Sequence, residues 1–160
     1  MKPARHATAL RVAQLLRAAG VEASVVEFEQ TTRTSAEAAA AIGCEVAQIA
    51  KSIVFRGASS GAAIVVVASG ANRVSEAKVA ARLGETLERA DADFVRTATG
   101  YAIGGVAPIG HAQPVKLLLD EDLRCFETVW AAGGTPFSVF PIAPEALRRV
   151  TGAAWSDVKA

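Results

Sequence analysis

The sequence is poor in the residues on which many enzymes and metal proteins depend. Its 160 residues include only 2 cysteines and 2 histidines, and aromatic residues make up 6% of the chain. No zinc-type spacing of cysteine and histidine occurs, so we expect no metal and no other cofactor. Cys44 and Cys125 stand singly in apolar segments. They are predicted to be buried free thiols, as in a reducing compartment.

An excess of charge of one sign is also missing. Lysine and arginine number 17 against 16 acidic residues, which gives a net charge of +1. This balance argues against a protein that coats DNA or any long nucleic acid, while contact with a few phosphates stays open. The longest apolar run, residues 62–68, is too short to span a bilayer, and the N-terminus lacks the apolar segment of a signal peptide. We expect a cytoplasmic protein without a membrane partner.

Several signatures of common enzyme classes are absent as well. The glycines near residue 104 fit neither the dinucleotide-binding fingerprint nor a phosphate-binding loop, since no glycine-lysine-serine/threonine element follows them. No GxSxG elbow supports a serine hydrolase. The acidic cluster at 120–122 is interpreted as a solvated turn, because adjacent positions cannot supply the facing carboxylates of a glycosidase.

The sequence does have enough apolar residues, 51%, to bury the core of one domain over residues 1–160. Periodicity and cap residues predict helices over 10–20, 34–43, 75–84, 91–100 and 144–152. Apolar segments predict strands over 21–29, 51–57, 62–69, 86–90, 114–120, 126–134 and 136–142. Because short turns join several strands, we predict an α/β protein of the α+β type, with a mixed, largely antiparallel sheet surrounded by helices.

Two features could carry chemistry. In YAIGGVAPIGH, residues 101–111, two adjacent glycines free the backbone, and Pro108 stiffens the exit. Such a loop can present amide N–H groups to a carbonyl oxygen or an oxyanion, although an ordinary helix-to-strand connection is the favoured explanation of the stretch taken alone. Lys51 opens an apolar strand. Its ammonium could reach solvent along the sheet, or hold a phosphate or ester carbonyl if it lies over a pocket.

Further segments match a known pattern over nearly the whole chain. They are TSAEAAAAIG, CEVAQIAKSIVF, VVVASGANRVS, ERADADFVRTATGYAIGGVAPIGH, KLLLDEDL, VWAAGG and LRRVTGAAWSDV. In order and spacing these segments resemble the YbaK/EbsC family, which includes the editing domain inserted in bacterial prolyl-tRNA synthetases. The most specific elements are Lys51 and the glycine-x-x-x-proline loop from Gly104 to Pro108.

The resemblance implies a fold of the predicted kind and an activity that hydrolyses the ester between a wrong amino acid and tRNA. By it, Lys51 is the essential lysine. The loop that positions the aminoacyl 3′ end of the tRNA is implied to consist of Gly104, Gly105, Val106, Ala107 and Pro108. The water is implied to be activated largely by a ribose hydroxyl of the substrate, which is consistent with the lack of an obvious general base in the sequence.

Other positions are open between binding and structural roles. Relatives often carry an aspartate or histidine after the AAGG turn, where this chain has Ser138, so the edited amino acid is not fixed by the resemblance. Gly110 and His111 follow the loop, and His111 could contact the substrate or cap the loop. Thr34 fits a helix cap first and a pocket residue second. Trp130 and Phe126 are expected in the core.

The leading hypothesis is a free-standing editing enzyme that removes a small non-cognate amino acid from mischarged tRNA, with tRNA-Pro as the favoured carrier and prolyl-tRNA synthetase as a partner. Such a second sieve is needed because a synthetase pocket rejects smaller amino acids poorly. The alternative is a module that binds an aminoacyl-tRNA end or a nucleotide without hydrolysing it, acting with a synthetase.

Overall fold

A computed structural model describes residues 1–30 and 32–160. In these residues nine strands form one mixed sheet in the order β1-β2-β8-β7-β3-β4-β6-β9, with β5 paired to β3. The strands are β1 (Lys2–Pro3), β2 (Val26–Glu27), β3 (Ile49–Gly57), β4 (Ala63–Ser69), β5 (Leu87–Arg89), β6 (Lys116–Asp120), β7 (Val129–Ala132), β8 (Ser138–Ile142) and β9 (Ala154–Ser156). Five strand pairs are antiparallel and three are parallel. The predicted mixed, largely antiparallel sheet is confirmed.

Within the described residues, five α-helices pack around the sheet. They are α1 (Ala7–Ala18), α2 (Ser35–Ile42), α3 (Glu76–Leu83), α4 (Ala92–Thr99) and α5 (Pro144–Thr151). The caps predicted from the sequence are confirmed, because the side chains of Thr34, Ser75 and Asp91 accept hydrogen bonds from first-turn N–H groups. None of the helices in the described ranges has the length and apolarity needed to cross a membrane.

The core is built on β4, which is buried along its whole length. Its side chains alternate between the two faces of the sheet. Val65 and Val67 pack into a cluster with Val12 of α1, while Ile64 and Val66 pack with Val79 of α3. Removing a side chain of this size from water contributes roughly 1.5–3 kcal/mol, so this strand anchors both layers.

Strand boundaries differ from the prediction where pairing, rather than composition, sets them. The predicted strand over 21–29 is reduced to Val26–Glu27, and that over 126–134 to Val129–Ala132. β3 begins at Ile49, two residues before Lys51. The strands β1 and β9 were not predicted, since each is only two or three residues long and exists through its pairing with a neighbour.

Two predictions about polar residues were wrong. Cys125 is exposed, because it ends a short 3-10 helix (Glu121–Cys125) on the surface, whereas Cys44 is half-buried. Asp120 is not part of a solvated turn: it is 1% exposed and accepts hydrogen bonds from Ser69 N at 3.0 Å and Asn72 Nδ2 at 2.9 Å. Its carboxylate ties the end of β6 to the end of β4.

Candidate functional site

A cleft of about 610 Å³ lies against the central part of β3. Its walls come from the start of α2, from β7 and β8, and from the loop that follows α4. Three apolar residues of one cluster, Ile49, Trp130 and Val139, form part of the lining. The cleft therefore combines an apolar wall with the main chain of a strand and of a glycine-containing loop.

Lys51 lies in this cleft. It is the third residue of β3, half-buried, and pairs with Ala68 of β4. Since side chains alternate along a strand, Lys51 shares a sheet face with Ile49 and Ile53. Among the ion pairs found in residues 1–30 and 32–160, none involves Lys51. Its ammonium is thus a positive charge in a largely apolar cleft without a carboxylate neighbour from the described chain.

Two residues of the glycine loop, Gly104 and Val106, line the same cleft as Lys51. Gly105, which lies between them, does not line the cleft, and its N–H already donates to the carbonyl oxygen of Ala102 at 2.9 Å. A Cβ on Gly105 would stand 2.5 Å from the carbonyl carbon of Thr135. Glycine is therefore required at 105 because two stretches of backbone touch there.

The rest of the predicted loop lies behind the cleft wall. Ala107 and Pro108 are buried, and Nε2 of His111 lies 2.8 Å from the carbonyl oxygen of Ala107. Gly110 is held through its carbonyl oxygen by Nη2 of Arg11 at 3.0 Å. The hydroxyl of Tyr101 donates to Ile109 O at 2.7 Å. These contacts fix the loop from the rear, so His111 caps the loop and does not line the cleft.

The imidazole of His111 is half-buried. Burial lowers its pKa, while the hydrogen bond to the carbonyl oxygen of Ala107 acts in the opposite direction. Because a carbonyl oxygen can only accept, Nε2 must carry the proton in this contact. Of the two neutral tautomers, the one protonated at Nε2 therefore fits the contact, and burial favours the neutral form of the ring.

Thr34 and Ser138 both line the cleft, but their hydroxyl groups serve local structure. Thr34 Oγ1 accepts from Glu37 N at 3.1 Å and so caps α2. Ser138 is 1% exposed, and its Oγ lies 2.7 Å from Oγ1 of Thr135 and 3.1 Å from the Thr135 nitrogen. Ser138 thereby fixes the turn against which Gly105 packs.

The residues that line the cleft and that the sequence did not single out for a site include Arg33, Ser52, Ile103 and Trp130. Trp130 was expected in the core, and it does pack partly against the apolar cluster, but it also faces the cleft. Arg33 could have been noticed, because it immediately precedes the helix cap Thr34 and so must lie beside it. Ser52 and Ile103 carry no sequence signal.

No group of three or more histidine, cysteine, aspartate or glutamate side chains suited to holding a metal ion occurs within residues 1–30 and 32–160. The polar groups that line the cleft include one ammonium group, one guanidinium group, several hydroxyl groups and main-chain groups. These groups suit an anionic or carbonyl-bearing ligand with an apolar part.

The comparison with known proteins agrees with this geometry. A family profile described as the aminoacyl-tRNA editing domain matches residues 29–150. The chain therefore belongs to the aminoacyl-tRNA editing domain family, and the family predicted from the sequence is confirmed. The matched range includes Lys51 and the whole loop from Gly104 to Pro108.

Relatives of known structure cover almost the entire chain. A candidate trans-editing enzyme for prolyl tRNA synthetase is 44% identical, with a TM-score of 0.92 over 98% of this chain and 99% of its own. The hypothetical protein APE2540 is 29% identical, with a TM-score of 0.86 over 94% of this chain and 99% of its own. The uncharacterised protein YwhH of Bacillus subtilis (strain 168) is 34% identical over 138 residues, 86% of this chain and 87% of its own.

Proposed function

We propose that the protein hydrolyses the ester bond of mischarged aminoacyl-tRNA. The observation that carries this proposal is that Lys51 and two residues of the glycine loop, Gly104 and Val106, line one cleft in a chain of the editing-domain family. An aminoacyl ester is already activated, so its hydrolysis requires positioning and charge stabilisation more than a strong protein nucleophile. A cleft with these groups supplies both.

In the proposed reaction, water attacks the ester carbonyl carbon and the negative charge moves to the carbonyl oxygen. The bond between that carbon and the ribose oxygen then breaks. The ribose oxygen takes up one proton of the water, by way of the neighbouring ribose hydroxyl. The new carboxyl group releases the other proton to solvent, and the amino acid leaves as a carboxylate. Lys51 and the N–H groups of Gly104 and Val106 are proposed to hold the ester and stabilise the oxyanion.

The size of the cleft supports a substrate larger than an amino acid. A volume of about 610 Å³ falls within the range of roughly 300–1,000 Å³ that is usual for ligands of drug size. We propose that the aminoacyl group enters together with the terminal nucleoside of the tRNA. Arg33 lies at the rim, exposed and outside the ion pairs of the described chain, where its guanidinium can contact a backbone phosphate.

The finer identity of the substrate is proposed from the relatives. Because a 44% identical protein is a candidate trans-editing enzyme for prolyl tRNA synthetase, we propose tRNA-Pro as the carrier and that synthetase as a partner. The amino acid is proposed to be small, such as alanine, serine or threonine, since the side chain of Trp130 occupies part of the apolar wall. This activity would place the protein in the cytoplasm, where tRNA is charged.

The test is a panel of labelled mischarged tRNAs incubated with catalytic amounts of enzyme. We expect release of free amino acid from at least one tRNA, and Lys51→Ala should lower kcat/KM by at least ~10²-fold, the usual cost of one preorganised electrostatic group. Lys78→Ala is the matched control, because Lys78 is an exposed lysine of α3 that pairs with Asp157 outside the cleft.

Two outcomes would contradict the proposal. A folded Lys51→Ala variant with unchanged turnover would remove Lys51 from the site. Retention of the aminoacyl-tRNA in a gel shift, with no release of amino acid from any tRNA, would favour the alternative of a binding module.

A further inference from the structure

Among the described residues, the strand that runs along the cleft has a stretch without a paired strand on one side. β3 pairs with β7 as far as Ala50 and Ala131, and it pairs with β5 only from Phe55 and Arg89 onward. Between these points residues 51–54 pair with β4 on the other side but, among the strands of the described chain, with none on this side. The sheet therefore has an opening here, and residues 51–54 line the cleft at it.

The alternation of hydrogen bonds along β3 decides which main-chain groups face this opening. Gly57 N donates to Ala62 O, and Gly70 N donates to Ile49 O, so the odd-numbered residues of β3 bond toward β4. In an antiparallel pair, the alternate residues direct their N–H and C=O groups away from the partner strand, so the even-numbered residues of β3 direct theirs away from β4. Ser52 therefore directs both of its main-chain polar groups into the opening.

The side chain of Ser52 also carries an unpaired polar group. Its Oγ is buried and has no hydrogen-bond partner among the described residues. Buried polar groups in folded proteins are nearly always paired, so an unpaired hydroxyl beside an unpaired strand edge is unusual. The two observations point to the same residue from the main chain and from the side chain.

We propose that Ser52 binds the aminoacyl group of the substrate through its main chain, as a strand edge binds one more residue. This inference rests on the proposed function. An aminoacyl ester carries an α-ammonium donor and a carbonyl acceptor on adjacent carbons, in the arrangement that a residue of a strand presents. Two directly opposed residues of an antiparallel pair exchange both bonds. The carbonyl oxygen of Ser52 accepts from the α-ammonium group, and its N–H donates to the ester carbonyl.

This pairing defines the substrate class more narrowly than the cleft alone. It requires a free α-amino group and an acyl carbonyl, but it involves no contact with the side chain of the amino acid. Esters without the α-amino group lose one charge-assisted hydrogen bond, and those are stronger than neutral ones. Side-chain selection is then left to the apolar wall, while Ser52 holds the ester carbonyl beside Lys51.

The test measures binding of two non-hydrolysable probes, 3′-(L-alanylamino)-3′-deoxyadenosine and its 3′-propionylamino counterpart, which differ only in the α-amino group. We expect the wild-type protein to bind the alanyl probe at least about tenfold more tightly, the effect of one hydrogen bond to a charged group. Equal dissociation constants for the two probes would overturn the pairing.

A main-chain variant tests the second proposed hydrogen bond, from the N–H of Ser52 to the acyl carbonyl oxygen. Replacing Ser52 by its α-hydroxy acid converts the main-chain N–H into an ester oxygen. This change should raise the dissociation constants of both probes about five- to tenfold. The same change at Val54, whose N–H faces the same opening, is the matched control and should leave both constants unchanged. Unaltered binding by a folded Ser52 variant, or equal losses at both positions, would overturn the proposal.

Separate measurements test this inference and the proposed function, so either one can fail while the other holds. Probe binding requires no hydrolysis, so a protein that releases no amino acid still tests the pairing. A protein that deacylates tRNA but binds both probes equally would keep the proposed function and lose the role of Ser52. If the Ser52 main-chain variant does not fold, the comparison of the two probes on the wild-type protein decides the question.

Discussion

The imidazole Nε2 of His111 lies 2.8 Å from the carbonyl oxygen of Ala107, and this contact crosses the back of the loop whose front faces the cleft. Ala107 is fully buried, so its carbonyl oxygen has little access to water. The contact therefore links the protonation state of one side chain to the shape of the cleft wall.

The first prediction concerns pH. Burial lowers the pKa of His111 in the folded protein below its ordinary value of 6.5. The unfolded chain then binds a proton more readily, so the contribution of His111 to stability is fully present above pH 6.5 and is lost as the pH drops from 6.5 through the folded-state pKa. His111→Gln can still donate to Ala107 and lacks this titration. Urea unfolding between pH 8 and 5 should show a smaller loss of stability for His111→Gln than for the wild type.

The loss of the donor itself is tested by His111→Ala. Leaving the buried carbonyl oxygen of Ala107 unpaired should cost about 1–3 kcal/mol of unfolding free energy at pH 8. If His111→Ala and His111→Gln unfold at the same urea concentration at that pH, the hydrogen bond does not stabilise the loop.

The second prediction separates the two adjacent glycines. Gly105→Ala places a Cβ 2.5 Å from backbone atoms of Thr135, which cannot yield as a flexible side chain could. We expect a loss of about 1–3 kcal/mol of unfolding free energy and a strong loss of deacylation, because the loop must move.

Gly104→Ala should behave differently. Gly104 has a φ of +85° and free space around it, so the substitution brings only backbone strain, about 1–2 kcal/mol. Gly20→Ala, with a φ of +79° and equally free space, is the control for that strain away from the cleft. Both variants should lose similar stability, while only Gly104→Ala should lower activity. Equal activity in the two would show that the main chain at 104 does not contact the substrate.

The difference between these glycines shows what the sequence could and could not predict. The cap of α2 was predictable, because Thr34 and Glu37 lie within one helical turn of each other. The packing of Gly105 on Thr135 was not, since it joins segments thirty positions apart through a turn whose shape depends on Ser138. Helix caps follow from spacing within one turn of the chain. Which residues of the 104–108 loop line the cleft and which are buried behind it depends on contacts between distant segments.

The same reasoning applies to the opening beside β3. The sequence predicted an apolar strand with Lys51 at its start, and that strand exists. The opening depends on where β7 and β5 leave β3, which no property of residues 51–54 encodes. Ser52 therefore looked like an ordinary strand residue until its neighbours were known.

The third prediction concerns stability at acid pH. Glu85 accepts hydrogen bonds from Ser59 N, Ser60 N and Ser60 Oγ and pairs with Lys116, and these contacts fix the turn between β3 and β4. The Lys116 ammonium, followed by the bonds from Ser60, lowers the pKa of Glu85 from 4.5 to about 2. The carboxylate therefore stabilises the fold above pH 4.5, and this contribution is lost as the pH falls from 4.5 to about 2.

Glu85→Gln should consequently lower the melting temperature at pH 7, and the difference from the wild type should narrow below pH 4.5. Glu88→Gln is the matched control, since Glu88 is an exposed glutamate of the neighbouring β5. Deacylation at pH 7 and low temperature should be unchanged in both variants, because neither residue lines the cleft. A constant difference between Glu85→Gln and the wild type from pH 7 to pH 3 would contradict the assigned pKa.

The fourth prediction concerns the rim of the cleft. If Arg33 contacts a phosphate near the 3′ end of the tRNA, Arg33→Ala should raise KM several-fold with little change in kcat, because the contact is equally strong in the ground state and the transition state. Loss of one contact with a phosphate of single-stranded RNA should also lower the slope of log KM against log salt concentration by about 0.7. Arg82→Ala is the control, because Arg82 is an exposed arginine of α3 that does not line the cleft. A raised KM with an unchanged salt slope would mean that Arg33 shapes the start of α2 instead of binding phosphate, and a lowered kcat would place it at the ester.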